Sequence, residues 1–317
     1  MFLKGDSCEH MDFKKISKNT GRFFGWFFLV LCSLIIRVIP FRLLYGFANG
    51  IGSFGYRVLL QQRRIAQESL KIAFGRGKTA EERETIARES FLFMARSAVE
   101  LMFLMDNPCL LKKRVTIVGQ EYLQKALAKG CGVILVSAHF GNFPLLMAKL
   151  ALSDFPISGI MRPMRDSRVE RFFLDKRQRL GVKTIYSQPR TACVNETIET
   201  LRKNGIVFIP IDQNFGTGGV FVDFFGSKAA TATGPVVLAQ RTKAALIPCF
   251  IVRQKDDTHV LIFEEALQLR QKATPEETVQ ENIQQLTTII ETYIRTYPAE
   301  WGWIHRRWKS KPSVKEG

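Results

Sequence analysis

This 317-residue chain is poor in histidine and in acid: it has four His, and 29 Asp and Glu against 46 Lys and Arg. Its six cysteines (Cys8, Cys32, Cys109, Cys131, Cys193, Cys249) are scattered, and no two stand at metal-ligand spacing. That excludes a zinc module or a disulfide scaffold and reads as reduced, buried thiols in a cytosol-facing protein. Gly216, Gly218 and Gly219 are not followed by Gly-Lys-Ser/Thr, which excludes a P-loop. No helix-turn-helix, zinc or RNP pattern accompanies the basic charge, so nucleic acid is not expected as a partner. No internal repeat or low-complexity tract occurs. Hydrophobic content of 46% suffices for one large α/β domain or a domain with an appendage. The net charge of +17 points to phosphates, anionic lipid or an acidic partner, with a merely basic soluble surface as the alternative.

The N-terminal region has its own character. Lys14, Lys15, Lys18 and Arg22 precede an apolar run from Phe23 to Ile36, which extends to Pro40 with Arg37 as its one charge. The length is marginal for a bilayer, which needs about 17–25 residues. A signal peptide also sets basic residues before an apolar core, but this lead is long and no small-residue cleavage site follows. A second apolar run covers Leu43 to Leu60. Phe23, Phe24, Trp26, Phe27 and Phe28 suit the headgroup boundary. The expectation is a unit at 1–62, a polar lead with an uncleaved helical membrane anchor, followed by an α/β domain at 63–317. A hydrophobic hairpin packed on the core is the other reading.

The rest of the chain is organised around residues 131–146. Gly132 opens Val133 to Val136, a short apolar run without polar alternation, as in a strand buried on both faces of a parallel sheet. His139 follows the strand, Gly141 and Asn142 make a turn, and helical spacing resumes at Phe143. Ligands bind outside the carboxyl ends of strands in open α/β sheets, and a helix start offers free N–H groups to an anion. Gly141 would permit close approach of a substrate. His139 therefore has a better setting for a general base than His10, His259 or His305, against the alternative of a structural histidine.

Further strands are expected at Val115–Val118, Ile157–Met161, Lys183–Tyr186, Ile206–Ile211, Val220–Phe225, Ala245–Val252 and Val260–Phe263. Helices are expected between them and over 63–106, 168–180, 191–203, 234–243 and 275–293. The alternation argues α/β, with a mostly parallel central sheet flanked by helices. Three strand ends carry chemistry: His139; Arg162 with Arg165; and Asp212 with Gln213. Arg162, Arg165 and Arg168 suit phosphate, whose oxygens match the guanidinium fork, or form a solvated basic face. Asp212 and Gln213 orient His139, bind sugar hydroxyls, or simply turn the chain.

In order, His-Phe-Gly-Asn at 139–142, Arg162-Pro163, Arg177 to Gly181, Asp212-Gln213, Phe224-Phe225-Gly226, Ala230-Thr231 to Gly234 and Trp301-Gly302-Trp303-Ile304-His305-Arg306-Arg307-Trp308 resemble one family. It is the late acyltransferases of lipid A biosynthesis, within the lysophospholipid acyltransferase superfamily. The resemblance implies a glycerolipid-acyltransferase-like fold and an enzyme of the bacterial inner membrane facing the cytoplasm. Such an enzyme moves an acyl chain from acyl carrier protein, or coenzyme A, to a hydroxyl of a glycolipid acceptor. It needs no metal and no cofactor beyond the donor. His139 would be the base, with Asp212 its partner; Gly141, Asn142, Arg162, Arg165 and Gln213 would meet the substrate.

One departure matters. The family pattern sets Glu or Asp after His and four intervening residues, and Pro144 stands there. Loss of an analogous carboxylate costs about 10⁴ in rate in a serine-protease triad. Three possibilities follow: another carboxylate such as Asp212 serves, a backbone carbonyl orients the ring, or the protein is a non-catalytic lipid-binding relative.

Overall fold

Strand β2 (Val133–Ser137) is buried along its whole length, and its alternate residues feed two different cores. Ile134 and Val136 join one cluster, Val133 and Leu135 the other. Each such apolar side chain contributes roughly 1.5–3 kcal/mol on burial, so the strand is held from both faces. The computed structural model describes residues 6–312, with side chains described from Thr20 onward, Thr217 apart. Residues 1–5 and 313–317 lie outside it, as do the side chains of Cys8, His10, Lys14, Lys15 and Lys18.

The chain begins with four helices: α1 (Asp6–Val38), α2 (Phe41–Val58), α3 (Leu60–Phe74) and α4 (Ala80–Met105). Then come α5 (Pro108–Arg114), β1 (Val115–Val118) and α6 (Gln120–Leu127), leading into β2. After β2 the order is α7 (Phe143–Ala151), β3 (Ile157–Met161), α8 (Ser167–Arg179), β4 (Lys183–Tyr186), α9 (Arg190–Arg202) and β5 (Ile206–Pro210). The chain continues through β6 (Val220–Phe224), β7 (Ser227–Thr231), α10 (Gly234–Thr242), β8 (Ala245–Arg253), β9 (His259–Phe263) and α11 (Pro275–Thr296).

Seven strands form one sheet in the order β1-β9-β8-β2-β5-β3-β4, and every neighbouring pair is parallel except β8 with β9. This is the mixed α/β architecture, mostly parallel, that the sequence implies. Helices α6 and α7 pack on the core that contains Val133 and Leu135; α10 and α11 cover the opposite core. Capping boxes start two of the longest helices: Thr79 with Glu82 before α4, and Thr274 with Glu277 before α11, satisfying otherwise orphaned N–H groups.

Two short elements, α5 and β7, escape the sequence reading. Strand β7, Ser-Lys-Ala-Ala-Thr, has no β-branched or aromatic run and is held by its antiparallel pairing with β6. Phe225 adopts φ +53° in the connecting turn, an unusual conformation for an aromatic residue. Its ring packs with Phe74 and Trp303 and lies under the Arg295 guanidinium, so tertiary contacts hold the turn.

The N-terminal helices differ from one another. Helix α1 exposes Phe23, Phe24, Phe27, Phe28, Leu31, Leu34 and Val38, and its segment Thr20–Val38 is long and apolar enough to cross a membrane. Helix α2 buries Leu44, Ala48, Gly52 and Tyr56, and residue 62 falls inside α3. A methyl group on Gly52 would stand 2.8 Å from the Leu92 backbone of α4, so glycine there allows the two helices to touch. Tyr45 donates to Glu100 at 2.6 Å and Arg96 to Asn49 at 2.6 Å, fastening α2 to α4.

Of the five cysteines with described side chains, all are free; Cys249 is buried and Cys109 exposed. Uniformly buried thiols are therefore not what the fold provides.

Candidate active site

The register of β2 and β5 sets Ser137 opposite Pro210. His139 and Asp212, each two residues further on, consequently meet where the strands end. Asp212 Oδ1 lies 2.8 Å from His139 Nδ1, and Trp301 Nε1–H donates to Asp212 Oδ2 at 2.7 Å. The carboxylate is buried while the imidazole remains partly exposed. Burial alone would favour the neutral acid, but the His139 ring and the Trp301 N–H hold the Asp212 carboxyl far below the usual carboxylate range. Burial of His139 works to lower its pKa, and the facing Asp212 carboxylate outweighs it, raising the pKa above the ordinary histidine value. The ionised carboxylate fixes the neutral tautomer with the proton on Nδ1 and the lone pair on Nε2.

The C-terminal segment completes this arrangement. Phe140 and Trp301 form an isolated antiparallel bridge, and Gly302 N–H donates to His139 O at 3.3 Å. The tail thereby brings His305 beside His139, ring centroids 5.4 Å apart. Gln213 lies between them, its amide nitrogen 3.2 Å from His139 Nε2 and 3.5 Å from His305 Nε2. Arg307, 1% exposed, donates to the Gln213 carbonyl at 3.1 Å, to Ala230 O and to Thr231 Oγ1, tying the Asp212-Gln213 turn to β7. Burial lowers the Arg307 guanidinium to about 10. His305 and Trp301 carry no site role in the sequence reading: they stand in the family-like block 301–308, which is dense in aromatic and basic residues but does not disclose where it docks.

His139 also lines an apolar cavity of about 460 Å³. Leu101, Met105, Phe143, Met147, Ile160, Phe173 and Phe208 line it, with Arg162 and Arg177 as its cationic residues. Phe143 stacks on Phe208 with centroids 5.9 Å apart, and meets the His139 ring edge to face. Pro144 sits in the first turn of α7 and contributes to the wall, where proline is compatible with the missing N–H partner. Larger hollows elsewhere, such as the one of about 600 Å³ around Arg37, Asp106 and Arg179, contain none of these strand-end groups.

The other expected site residues separate into two sets. Arg162 lines the cavity and is exposed; Arg165 is exposed but not part of the wall. Neither has an ion-pair partner among the described residues, whereas Arg168 pairs with Asp166 at 2.7 Å and Arg177 with Glu170 at 2.9 Å. Gly141 and Asn142 have structural duties. Gly141 has φ +60°, and a Cβ there would stand 1.9 Å from Ile251 O, so approach of β8 and not of a substrate requires glycine. Its N–H donates to Glu300 O at 2.9 Å. Asn142 is buried and donates to Ser97 O at 3.1 Å and Glu100 Oε2 at 3.2 Å. With Leu145 N–H turned to Asn142 O and Pro144 lacking a donor, the start of α7 offers fewer N–H groups to an anion than its sequence suggests.

Beneath lies a second charged cluster. Glu100 accepts from Arg253 at 2.7 Å and Tyr45 at 2.6 Å, and lies 2.8 Å from His259 Nε2. Although burial raises the pKa of Glu100, these partners bring it down to about 2. This explains the burial of His259 without a role at the cavity.

The family model described as Bacterial lipid A biosynthesis acyltransferase matches residues 10–310. The chain is 27% identical over 290 residues to a lipid A biosynthesis acyltransferase of Haemophilus influenzae, covering 90% of this chain and 86% of that one. It is 24% identical over 291 residues to the lipid A biosynthesis lauroyltransferase of Escherichia coli, covering 90% and 92% respectively. Among solved structures, the 1-acyl-sn-glycerophosphate acyltransferase of Thermotoga maritima aligns with a TM-score of 0.34 at 15% identity, covering 77% of this chain and 98% of that one.

Proposed function

Since the chain belongs to the bacterial lipid A biosynthesis acyltransferase family and is an acyltransferase, we propose that it moves a fatty acyl group from a thioester donor to a hydroxyl of a glycolipid such as a lipid A precursor. The observation that carries this reading is the His139–Asp212 pair, whose imidazole forms part of the wall of the apolar cavity. A cavity lined by methionine, leucine and phenylalanine suits a hydrocarbon chain, and a base in its wall suits attack on the thioester that the chain carries.

His139 Nε2 takes the proton of the acceptor hydroxyl, and that oxygen attacks the thioester carbonyl carbon. The tetrahedral intermediate collapses, the C–S bond breaks, and the imidazolium returns its proton to the departing thiolate. Asp212 holds the ring tautomer and stabilises the imidazolium while it exists; Trp301 holds Asp212. A serine or cysteine nucleophile is not needed, because the thioester is already activated. Arg162, unpaired at the cavity, would meet an acceptor phosphate or the developing oxyanion.

The donor is acyl carrier protein or coenzyme A, and the excess of basic residues suits either anionic partner. The exposed apolar face of α1 suits a position at the cytoplasmic membrane with the sheet domain on the cytoplasmic side, within reach of a soluble donor and a membrane-borne acceptor. The test is mass spectrometry of membrane glycolipids from cells with and without the gene. One acyl chain fewer in its absence supports the reading; identical glycolipids in both oppose it.

A further inference from the structure

We infer that Gln213 is a positioning residue that caps the base: its amide covers His139 Nε2 in the substrate-free enzyme, His305 holds it there, and it withholds the base from water until the acceptor hydroxyl displaces it. The inference rests on the reading of His139 as the base.

Three observations carry it. First, His139 Nδ1–H donates to the Asp212 carboxylate, so the neutral ring presents a bare lone pair at Nε2, and the group facing that lone pair is an amide nitrogen, which can only donate. Second, the same nitrogen reaches His305 Nε2 at 3.5 Å, the outer limit of a hydrogen bond; its two hydrogens can serve two imidazole acceptors. His305, partly buried and close to His139, is shifted below the ordinary histidine value, by burial first, which favours the neutral ring, the form with a nitrogen able to accept. Third, the Gln213 backbone is fixed while its side chain is exposed: buried Arg307 grips the carbonyl, leaving the amide free to swing.

A thioester seated in the cavity before the acceptor arrives would face an active base with water nearby. Water would then deliver a proton to His139 Nε2, its oxygen would add to the thioester carbonyl, and the C–S bond would break. The products would be a free fatty acid and a thiol that recovers the proton, and the donor would be wasted. An amide occupying Nε2 blocks that step. The acceptor hydroxyl, delivered by the binding energy of its whole lipid, can displace the amide, which then rests on His305 alone. The cap thus sets the partition between transfer and hydrolysis more than it sets the rate of transfer.

The experiment measures thiol and free fatty acid released from a long-chain acyl carrier protein thioester by the full-length enzyme in detergent, without acceptor, and acyl transfer when acceptor is added. Gln213→Met keeps the size of the side chain and removes its donors. Loss of one neutral hydrogen bond over the base should raise hydrolysis relative to transfer about three- to tenfold. His305→Phe should move the ratio the same way, while His305→Gln, which keeps an acceptor, should move it less. His139→Ala should suppress both reactions. If Gln213→Met and His305→Phe leave the ratio at the parental value while His139→Ala abolishes transfer, the capping role is overturned and the base reading stands. If His139→Ala transfers as fast as the parent, both are overturned.

Discussion

Asp212 Oδ1 reaches His139 Nδ1 at 2.8 Å across 73 residues of sequence, because the strands preceding them run side by side in register. A carboxylate thus faces His139 from the neighbouring strand although position 144 carries none, and in the proposed mechanism it serves as the partner of the base. His139→Ala should lower turnover by roughly 10²–10⁴-fold with the fold intact. Asp212→Asn should cost nearly as much, since it leaves the ring without its tautomer lock. Steady-state rates of the two purified variants, with circular dichroism as the folding control, check this.

The same pair governs pH dependence. In the proposed mechanism His139 serves as a base only when neutral, and the facing carboxylate raises its pKa above the ordinary value. Activity should rise with pH through an acid limb lying on the alkaline side of free histidine. In Asp212→Asn the raising influence is gone and burial remains, so the residual activity should keep its limb at a lower pH. A profile of kcat/KM against pH for both proteins decides the matter; a limb that does not move would place the titrating group elsewhere.

Pro144→Glu restores the residue usual in the family but has nothing left to orient, because Asp212 already occupies His139 Nδ1. The new carboxylate would instead enter the wall of an apolar cavity. Turnover should therefore stay level or fall, and the apparent affinity for long-chain donors should weaken. An increase in rate would mean that Asp212 serves His139 poorly in solution.

Much of this geometry was legible in the sequence, for physical reasons. Continuous apolar runs such as Val133–Val136 and Ile206–Ile209 can be satisfied only by burial on both faces, and residues following such strands converge on one crevice. The convergence of His139, Asp212 and Gln213 is expected on that ground, and the three side chains do meet. Register was not legible, since nothing local sets Ser137 opposite Pro210. Nor was the docking of Trp301 and His305, which depends on a bridge to Phe140 formed late in the chain. Gly141 and Asn142 are expected from the sequence to meet substrate, because a turn after a strand looks alike whether it faces a ligand or another strand; their neighbours in the fold are Ile251 and Glu100.

Arg162 and Arg165 provide a graded comparison. Arg162→Glu reverses an unpaired charge in the cavity wall, whereas Arg165→Glu and Lys309→Glu act on exposed positions outside it. Exposed charges contribute little, roughly 0–1 kcal/mol, so these two should change KM for the acceptor by a few-fold at most. Arg162→Glu should raise it by tenfold or more. Equal small effects at all three positions would assign them to a solvated basic face.

Glu300 offers a test of the tail's docking that is independent of activity. Burial raises its carboxyl to about 7, only partly opposed by the Arg253 N–H. Its native pKa exceeds the unfolded one, so the folded state holds the extra proton. The associated stability is present at low pH and lost as pH climbs from about 4.5 through 7. Glu300→Gln should therefore gain on the parent in thermal stability as pH rises from about 5 to 8. A constant difference across that range would show that the Glu300 carboxyl is not buried against Arg253.

The most direct measurement for the whole mechanism is the mass of a lipid A precursor incubated with an acyl carrier protein thioester and purified enzyme, parent against His139→Ala. The expected result is an acceptor heavier by one acyl chain with the parent and unchanged acceptor with the variant. Equal acylation by both proteins would contradict the assignment of His139 as the base, and with it the role given to Asp212.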